Sequence, residues 1–73
     1  MKTIKKITVL QGYSGVDHLD RWVREADEEL SGREFRSKKQ AVSAAWEINN
    51  RYSGHHRDPR GLIEFTDGTF ANV

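Results

Sequence analysis

A chain of 73 residues lies near the lower practical limit for an independent hydrophobic core, and we expect residues 1–73 to form one domain. It contains no cysteine, which excludes disulfides, thiolate metal sites and cysteine nucleophiles. Its 12 Lys and Arg residues nearly balance 11 Asp and Glu residues, so net charge alone does not indicate a nucleic-acid binder. Because no apolar run reaches the length of a signal segment or a membrane span, we expect a cytoplasmic protein.

The first predicted element is a strand over residues 3–11, which ends at a glycine-containing break. Side chains in a strand alternate between its two faces. This alternation places Ile7 and Val9 on one face and Ile4 on the other.

A first helix is predicted from residue 14 to the Ser31-Gly32 dipeptide. Residues 14–17 fit the capping-box pattern, a hydroxyl followed three residues later by a carboxylate. At the other end, glycine readily takes the left-handed conformation that ends helices. The apolar side chains of this segment share one stripe, at spacings of three and four: Val16, Leu19, Val23, Ala26 and Leu30. Trp22 lies at the flank of the stripe.

A second helix is predicted from the capping box Ser37-Lys38-Lys39-Gln40 to Ser53-Gly54. Its main apolar face comprises Ala41, Ala44, Ala45, Ile48 and Tyr52. Val42 and Trp46 lie on a second side, although a surface helix needs only one apolar stripe. Either both residues pack on another layer of the fold, or Trp46 is partly exposed and anchors a binding surface, including the interface of a homodimer.

Residues 55–61 form a polar loop, and the Asp67-Gly68 dipeptide after it is a strong hairpin signal. A two-residue turn pairs Phe65 with Phe70, on the same face as Ile63. The elements therefore predict an α+β fold in the order β-α-α-β-β. In this fold the N-terminal strand joins the C-terminal hairpin in a small antiparallel sheet, and both helices cover one face.

An alternative order, β-β-β-α-β-β with a single helix, results if residues 22–24 and 33–35 are strands. In that arrangement the chain resembles the DNA-binding domains of plant ethylene-response factors and the arm-binding domains of phage integrases. The resemblance rests on Tyr13, Gly15, Val16, Trp22, Val23, Phe35, Ala41 and Ala45. It implies DNA binding through the first strands, but Asp17 and Asp20 lie where those domains carry basic residues. The acid-rich run 25–29 is also a poor strand by composition.

Charge is segregated along the chain, with an acidic first helix between basic segments. The plain interpretation is solubility together with ion pairing along the helix. The functional interpretation is a charged docking surface for a protein partner. The candidate protein-binding residues are Asp17, Asp20, Trp22, Glu25, Asp27, Glu28 and Trp46.

An alternative partner is nucleic acid, since basic residues flank the second helix and could form a stripe that contacts phosphates. The candidates for this stripe are Lys5, Lys6, Arg33, Arg36, Lys38, Lys39, Arg51, Arg57 and Arg60. The second helix lacks a row of side chains suited to base edges, and the acidic helix would repel a duplex that came near it.

The sequence motifs give little support to catalysis or metal binding. Adjacent His55 and His56 are poorly placed to bind one ion, and His18 is distant from them in sequence. No nucleotide-binding loop or nucleophile elbow occurs. We therefore expect no enzymatic activity, no cofactor and no metal site.

These observations favour a non-enzymatic small protein that binds a larger protein or complex stoichiometrically. Small proteins without catalytic motifs are common among phage and mobile-element accessory proteins, including anti-CRISPR-like inhibitors of host defence or nucleic-acid-processing machines, and we expect a role of this kind. We expect a monomer or a homodimer, with no membrane partner.

Overall fold

Within the residues that the structure describes, four antiparallel strands form one curled sheet, and two helices pack on one face of it. Across the sheet the strands follow in the order Glu34–Phe35, Lys2–Val9, Gly61–Phe65 and Phe70–Asn72. The computed structural model of the chain describes residues 1–53, apart from the side chain of residue 53, and residues 59–73. The elements are β1 (Lys2–Val9), α1 (Asp17–Leu30), β2 (Glu34–Phe35), α2 (Lys38–Ser53), β3 (Gly61–Phe65) and β4 (Phe70–Asn72).

The predicted α+β fold with two helices is confirmed, and the short strand β2 between the helices is an addition to it. After α1 the chain returns to the sheet, where residues 34–35 pair with the start of β1 before α2 begins. The alternative with a single helix is wrong, because residues 17–30 form one continuous helix that contains Trp22 and Val23. The strand that this alternative predicted over residues 33–35 is nevertheless confirmed as β2.

Strand β1 contains a bulge that changes which side chains face the core. Ile4 pairs with Phe65 but Lys6 pairs with Glu64, so one extra residue lies between them on β1. A bulge shifts the alternation by one position. Ile4 and Ile7 are consequently both buried against the helices, and the prediction that they lie on opposite faces is wrong.

The turn of the β3–β4 hairpin is one residue longer than predicted. Glu64 pairs with Phe70 and Ile63 with Ala71, so Phe65 does not pair with Phe70. The reason lies in Asp67, whose Oδ1 accepts hydrogen bonds from the backbone N–H (3.0 Å) and the hydroxyl (2.6 Å) of Thr69. A register shift of one residue reverses the facing of every side chain. Phe70 therefore lies on the outer face, 51% exposed.

Helix α1 starts later than the capping-box pattern predicts. Gly12 and Gly15 both have positive φ, so the chain is still turning at residue 15. Val16 is the N-cap residue, no side chain caps the helix, and Val16 is exposed rather than part of the apolar stripe. The predicted end is confirmed in its essentials: Gly32 has φ +86°, and the N–H of Arg33 donates to the carbonyl of Leu30, as in a type II turn.

Helix α2 starts where its capping pattern predicts. The N–H of Gln40 donates to the Ser37 hydroxyl at 3.3 Å, and the Gln40 side chain accepts from the N–H of Arg36 at 3.1 Å. The predicted end at Gly54 lies outside the described residues. On the apolar face, Tyr52 is exposed, contrary to prediction, and Asn49 is buried there instead. The Asn49 amide has no hydrogen-bond partner among the described residues.

The core unites both helices with the inner face of the sheet, and Trp22 is among its largest members. It comprises Ile4, Ile7, Leu19, Trp22, Val23, Ala26, Leu30, Ala41, Ala45, Ile48, Ile63 and Phe65. The Trp22 indole is completely buried, and its Nε1–H donates to the carbonyl of Pro59 at 3.0 Å. Its ring fits because residue 61 is glycine: a β-carbon there would lie 2.7 Å from Cη2 of Trp22. Neither described helix is long and apolar enough to cross a lipid bilayer.

Candidate interaction surfaces

The structure divides the predicted protein-binding residues of α1 into three groups, of which the first is structural. Trp22 belongs to the core and is inaccessible to a partner. Asp27 faces β1, where its Oδ1 accepts hydrogen bonds from the Ile7 N–H (2.8 Å) and the Ser31 hydroxyl (2.8 Å). Both residues hold α1 to the rest of the fold.

The second group is Glu25, which lies between the two helices. Arg51 of α2 places its Nη1 2.8 Å from an oxygen of Glu29 and 3.5 Å from an oxygen of Glu25. The hydrogen bond to Glu29 raises the pKa of the Arg51 guanidinium, and a hydrogen bond to Glu25 raises the pKa of the Tyr52 phenol. Glu25 is therefore engaged in helix–helix packing.

The third group is the solvent-facing side of α1, which retains Asp17, Asp20 and Glu28. Arg21 and Arg24 alternate with these carboxylates on the same side of the helix. Three negative and two positive charges leave this side only weakly acidic. A strongly acidic docking face is thus not assembled by α1.

The basic candidates are distributed over separate parts of the molecule and are mostly engaged. Lys5 and Lys6 lie 3.5 and 3.7 Å from the Glu64 carboxylate on the outer face of the sheet. The Arg33 guanidinium lies over the ring of Phe35, and Arg51 is paired with Glu29.

The remaining basic candidates differ in their surroundings. The Arg60 guanidinium lies 4.1 Å from the centre of the Tyr13 ring. Arg36 and Lys39 form no ion pair with the described residues, and Arg57 lies outside them. Several of the described basic candidates are thus engaged with a carboxylate or an aromatic ring.

Of the histidines, His18 is half-buried on α1, whereas His55 and His56 lie outside the described residues. Within residues 1–53 and 59–73, no three His, Asp or Glu side chains come together in a way that could hold a metal ion.

The edge of the sheet at β4 differs from these regions, because its backbone faces outward. In the β3–β4 ladder, the N–H of Phe65 donates to the carbonyl of Thr69, and the N–H of Val73 donates to the carbonyl of Gly61. Because hydrogen-bonded and non-hydrogen-bonded pairs alternate along an antiparallel ladder, Ile63 and Ala71 form the hydrogen-bonded pair between them. The N–H and C=O groups of Phe70 and Asn72 therefore point away from β3. Lys38 of α2 donates from Nζ to the Phe70 carbonyl at 3.2 Å.

Trp46 lies on the flank of α2 that faces away from α1. Residue 51, which contacts α1, is about 140° away from it around the helix, whereas Lys39 is within about 20°. Trp46 is half-buried and, unlike Val42, does not pack on the buried core. The position of Val42 therefore agrees with the interpretation that the second side of α2 packs on another layer of the fold, whereas the position of Trp46 does not.

We refer to Lys38, Lys39, Trp46, Phe70 and Asn72 as the β4 surface, because Lys38 of α2 contacts β4, and Lys39 and Trp46 share one flank of the same helix. Sequence reasoning had singled out the two lysines and Trp46 but missed Phe70 and Asn72. It missed them because the predicted hairpin register placed Phe70 on the inner face.

Comparison with protein-family models, with curated proteins and with solved structures finds no match for this chain.

Proposed function

We propose that the chain is a non-enzymatic binding domain that attaches stoichiometrically to a larger protein or complex through the β4 surface. The observation that carries this proposal is the position of Phe70, whose ring is 51% exposed on an edge strand. Leaving a phenyl ring in water forgoes part of the roughly 2 kcal/mol that full burial provides. A partner that covers Phe70 recovers that free energy on binding.

Trp46 supports the same proposal from the other side of the β4 edge. Tryptophan is enriched among the residues that dominate binding energy at interfaces, and it is usually packed well when it serves the core. Trp22 illustrates the second case in this chain, with complete burial and a hydrogen bond to Pro59. Trp46 is only half-buried, and its indole donates no hydrogen bond to the described residues, which fits a role at an interface.

The charges of the β4 surface favour a protein partner with acidic groups. Lys38 and Lys39 form no ion pair with the described residues, whereas the lysines on the outer sheet face are paired with Glu64. An inhibitor of a host defence or nucleic-acid-processing machine, encoded by a phage or mobile element, is one role that such a domain would perform.

Affinity capture with matched variants tests the proposal. The immobilised chain is incubated with extract of the cells that produce it, in parallel with Phe70→Glu, Trp46→Ala and the control Tyr52→Glu. Tyr52 is also an exposed aromatic residue but lies beside α1. We expect a saturable one-to-one complex that the first two variants lose and the control retains. A complex that all variants retain, or the absence of any complex, would contradict the proposal.

A salt series with labelled single-stranded and duplex DNA and RNA tests the other partner class. Phosphate binding weakens steeply with salt because counterions are released. We expect no binding in the micromolar range at low salt. Micromolar binding with a steep negative salt slope would replace the protein partner with nucleic acid.

A further inference from the structure

The β4 edge offers hydrogen-bonding groups that no other strand of the described residues uses. Four backbone groups, the N–H and C=O of Phe70 and of Asn72, point away from β3. The Phe70 carbonyl accepts from Lys38 in a solvent-exposed contact at 3.2 Å. Outward-facing groups of this kind are a template for the addition of another strand.

The other exposed part of the sheet is blocked in a different way. Beyond β2, the N–H of Ile7 on β1 also points outward, but the part-buried Asp27 carboxylate accepts from it at 2.8 Å. That carboxylate is fixed by a second hydrogen bond, from Ser31. A strand arriving there must displace a buried charge, whereas at β4 it displaces only the Lys38 ammonium.

We propose that the β4 surface binds an extended acidic segment of another protein, which adds to β4 as a fifth strand. This inference rests on the proposed function and specifies how the partner is recognised. The backbone of the segment pairs with Phe70 and Asn72, and its side chains alternate between the two faces of the sheet.

Alternation determines which side chains the segment needs. Its residue opposite Phe70 lies on the outer face, where an apolar or aromatic side chain packs against the exposed ring. Its residue opposite Ala71 lies on the inner face, along which α2 runs. A carboxylate at that position faces Lys38, whose Nζ reaches the neighbouring Phe70 carbonyl. The preferred segment therefore alternates apolar and acidic residues.

Charge also decides between this occupant and a second copy of the chain. Pairing two β4 strands around a twofold axis would bring the Lys38 and Lys39 side chains of both copies to one interface. Like charges opposed in this way are unfavourable. An acidic segment converts the same lysines into favourable partners.

Amide NMR of the full chain, labelled with ¹⁵N, tests the inference. The probe is a capped heptapeptide of alternating Val and Glu, and the matched control is the same peptide with Lys in place of Glu. We expect the Glu peptide to slow hydrogen exchange at the Phe70 and Asn72 amides and to bind at least tenfold more tightly than the Lys peptide. In the Lys38→Met/Lys39→Met variant this preference should fall at least threefold.

Four results would overturn the inference: no binding of the Glu peptide at millimolar concentration, equal binding of the two peptides, effects confined to residues outside β4, or protection of β4 amides through dimerisation without peptide. If strand addition fails but capture still depends on Phe70 and Trp46, the β4 surface remains the binding surface and only the mode is wrong. If capture is independent of both residues, the proposed function itself is wrong.

Discussion

The Asp27 carboxylate accepts the backbone N–H of Ile7 at 2.8 Å and so holds the middle of α1 against the open part of β1. At the opposite edge of the sheet, Lys38 of α2 donates to the Phe70 carbonyl at 3.2 Å. Each helix thus places one charged side chain on an outward-facing backbone group of the sheet. Charged side chains at sheet edges hinder unwanted pairing. The two contacts differ in burial, which is why one is structural and the other is open to exchange.

Replacing Asp27 with Ala should destabilise the fold by about 1–3 kcal/mol, because the part-buried Ile7 N–H loses its acceptor. The matched control is Glu28→Ala, one residue along on the exposed side of α1, which should change the free energy of unfolding by less than about 0.5 kcal/mol. Urea denaturation followed by circular dichroism measures both. Equal effects of the two variants would show that the Asp27 contact contributes nothing specific.

Replacing Gly61 with Ala should destabilise the fold by about 1–3 kcal/mol through overpacking, since the added methyl group lies 2.7 Å from Cη2 of Trp22. A double-mutant cycle with Trp22→Phe identifies the cause, because the smaller ring removes the atoms that clash. We expect the Gly61→Ala substitution to cost less in the Trp22→Phe background than in the wild type. An unchanged cost would place the strain in the backbone rather than against the indole.

The two predicted capping boxes give a direct comparison. Ser37→Ala removes the hydroxyl that accepts the Gln40 N–H and should cost about 0.5–2 kcal/mol. Ser14→Ala should have almost no effect, because α1 starts at Asp17 with Val16 as its N-cap. Thermal unfolding of both variants measures the difference. A comparable loss in Ser14→Ala would mean that α1 extends further towards the N-terminus than the structure shows.

Because of a carboxyl group in the hairpin turn, we expect the stability of the fold to depend on pH. The Lys2 ammonium, followed by the Thr69 hydroxyl and N–H, lowers the pKa of Asp67 below its ordinary value. A carboxyl group with a lowered pKa in the folded state stabilises the fold above its unfolded-state pKa of about 3.9, and this contribution is lost as the pH falls below that value.

We therefore expect the stability difference between the wild type and Asp67→Asn to be constant above about pH 6 and to shrink below about pH 4. In the Lys2→Met background the shrinkage should be smaller, because the main cause of the lowered pKa is removed. Urea denaturation across this pH range provides the measurement. A difference that does not vary with pH would mean that Asp67 titrates alike in the folded and unfolded chains.

Local sequence signals predicted most of the fold, because they depend on neighbours within one turn. The cap at Ser37, the positive φ of Gly32 and the two-helix α+β order are examples. The hairpin was located by its Asp-Gly dipeptide but its register was not, since hydrogen bonds of Asp67 to Thr69 lengthen the turn by one residue. That single residue decides whether Phe70 is core or surface.

The candidate site was predicted less well because its residues acquire their roles from distant contacts. Trp22 is buried because Gly61, 39 residues later, leaves room for its ring. Asp27 became structural through Ile7, and Glu25 through Arg51. Neither composition nor helical periodicity contains these pairings, so the acidic candidates were indistinguishable from one another in the sequence.

The affinity of the captured partner for Phe70→Glu, compared with wild type, tests the central claim most directly. Because the Phe70 ring is half exposed, the substitution should change the free energy of unfolding by less than about 1 kcal/mol. Biolayer interferometry should nevertheless show at least a tenfold weaker Kd, as expected for an aromatic residue at the centre of an interface. An unchanged Kd with an intact fold would contradict the assignment of the β4 surface as the binding site.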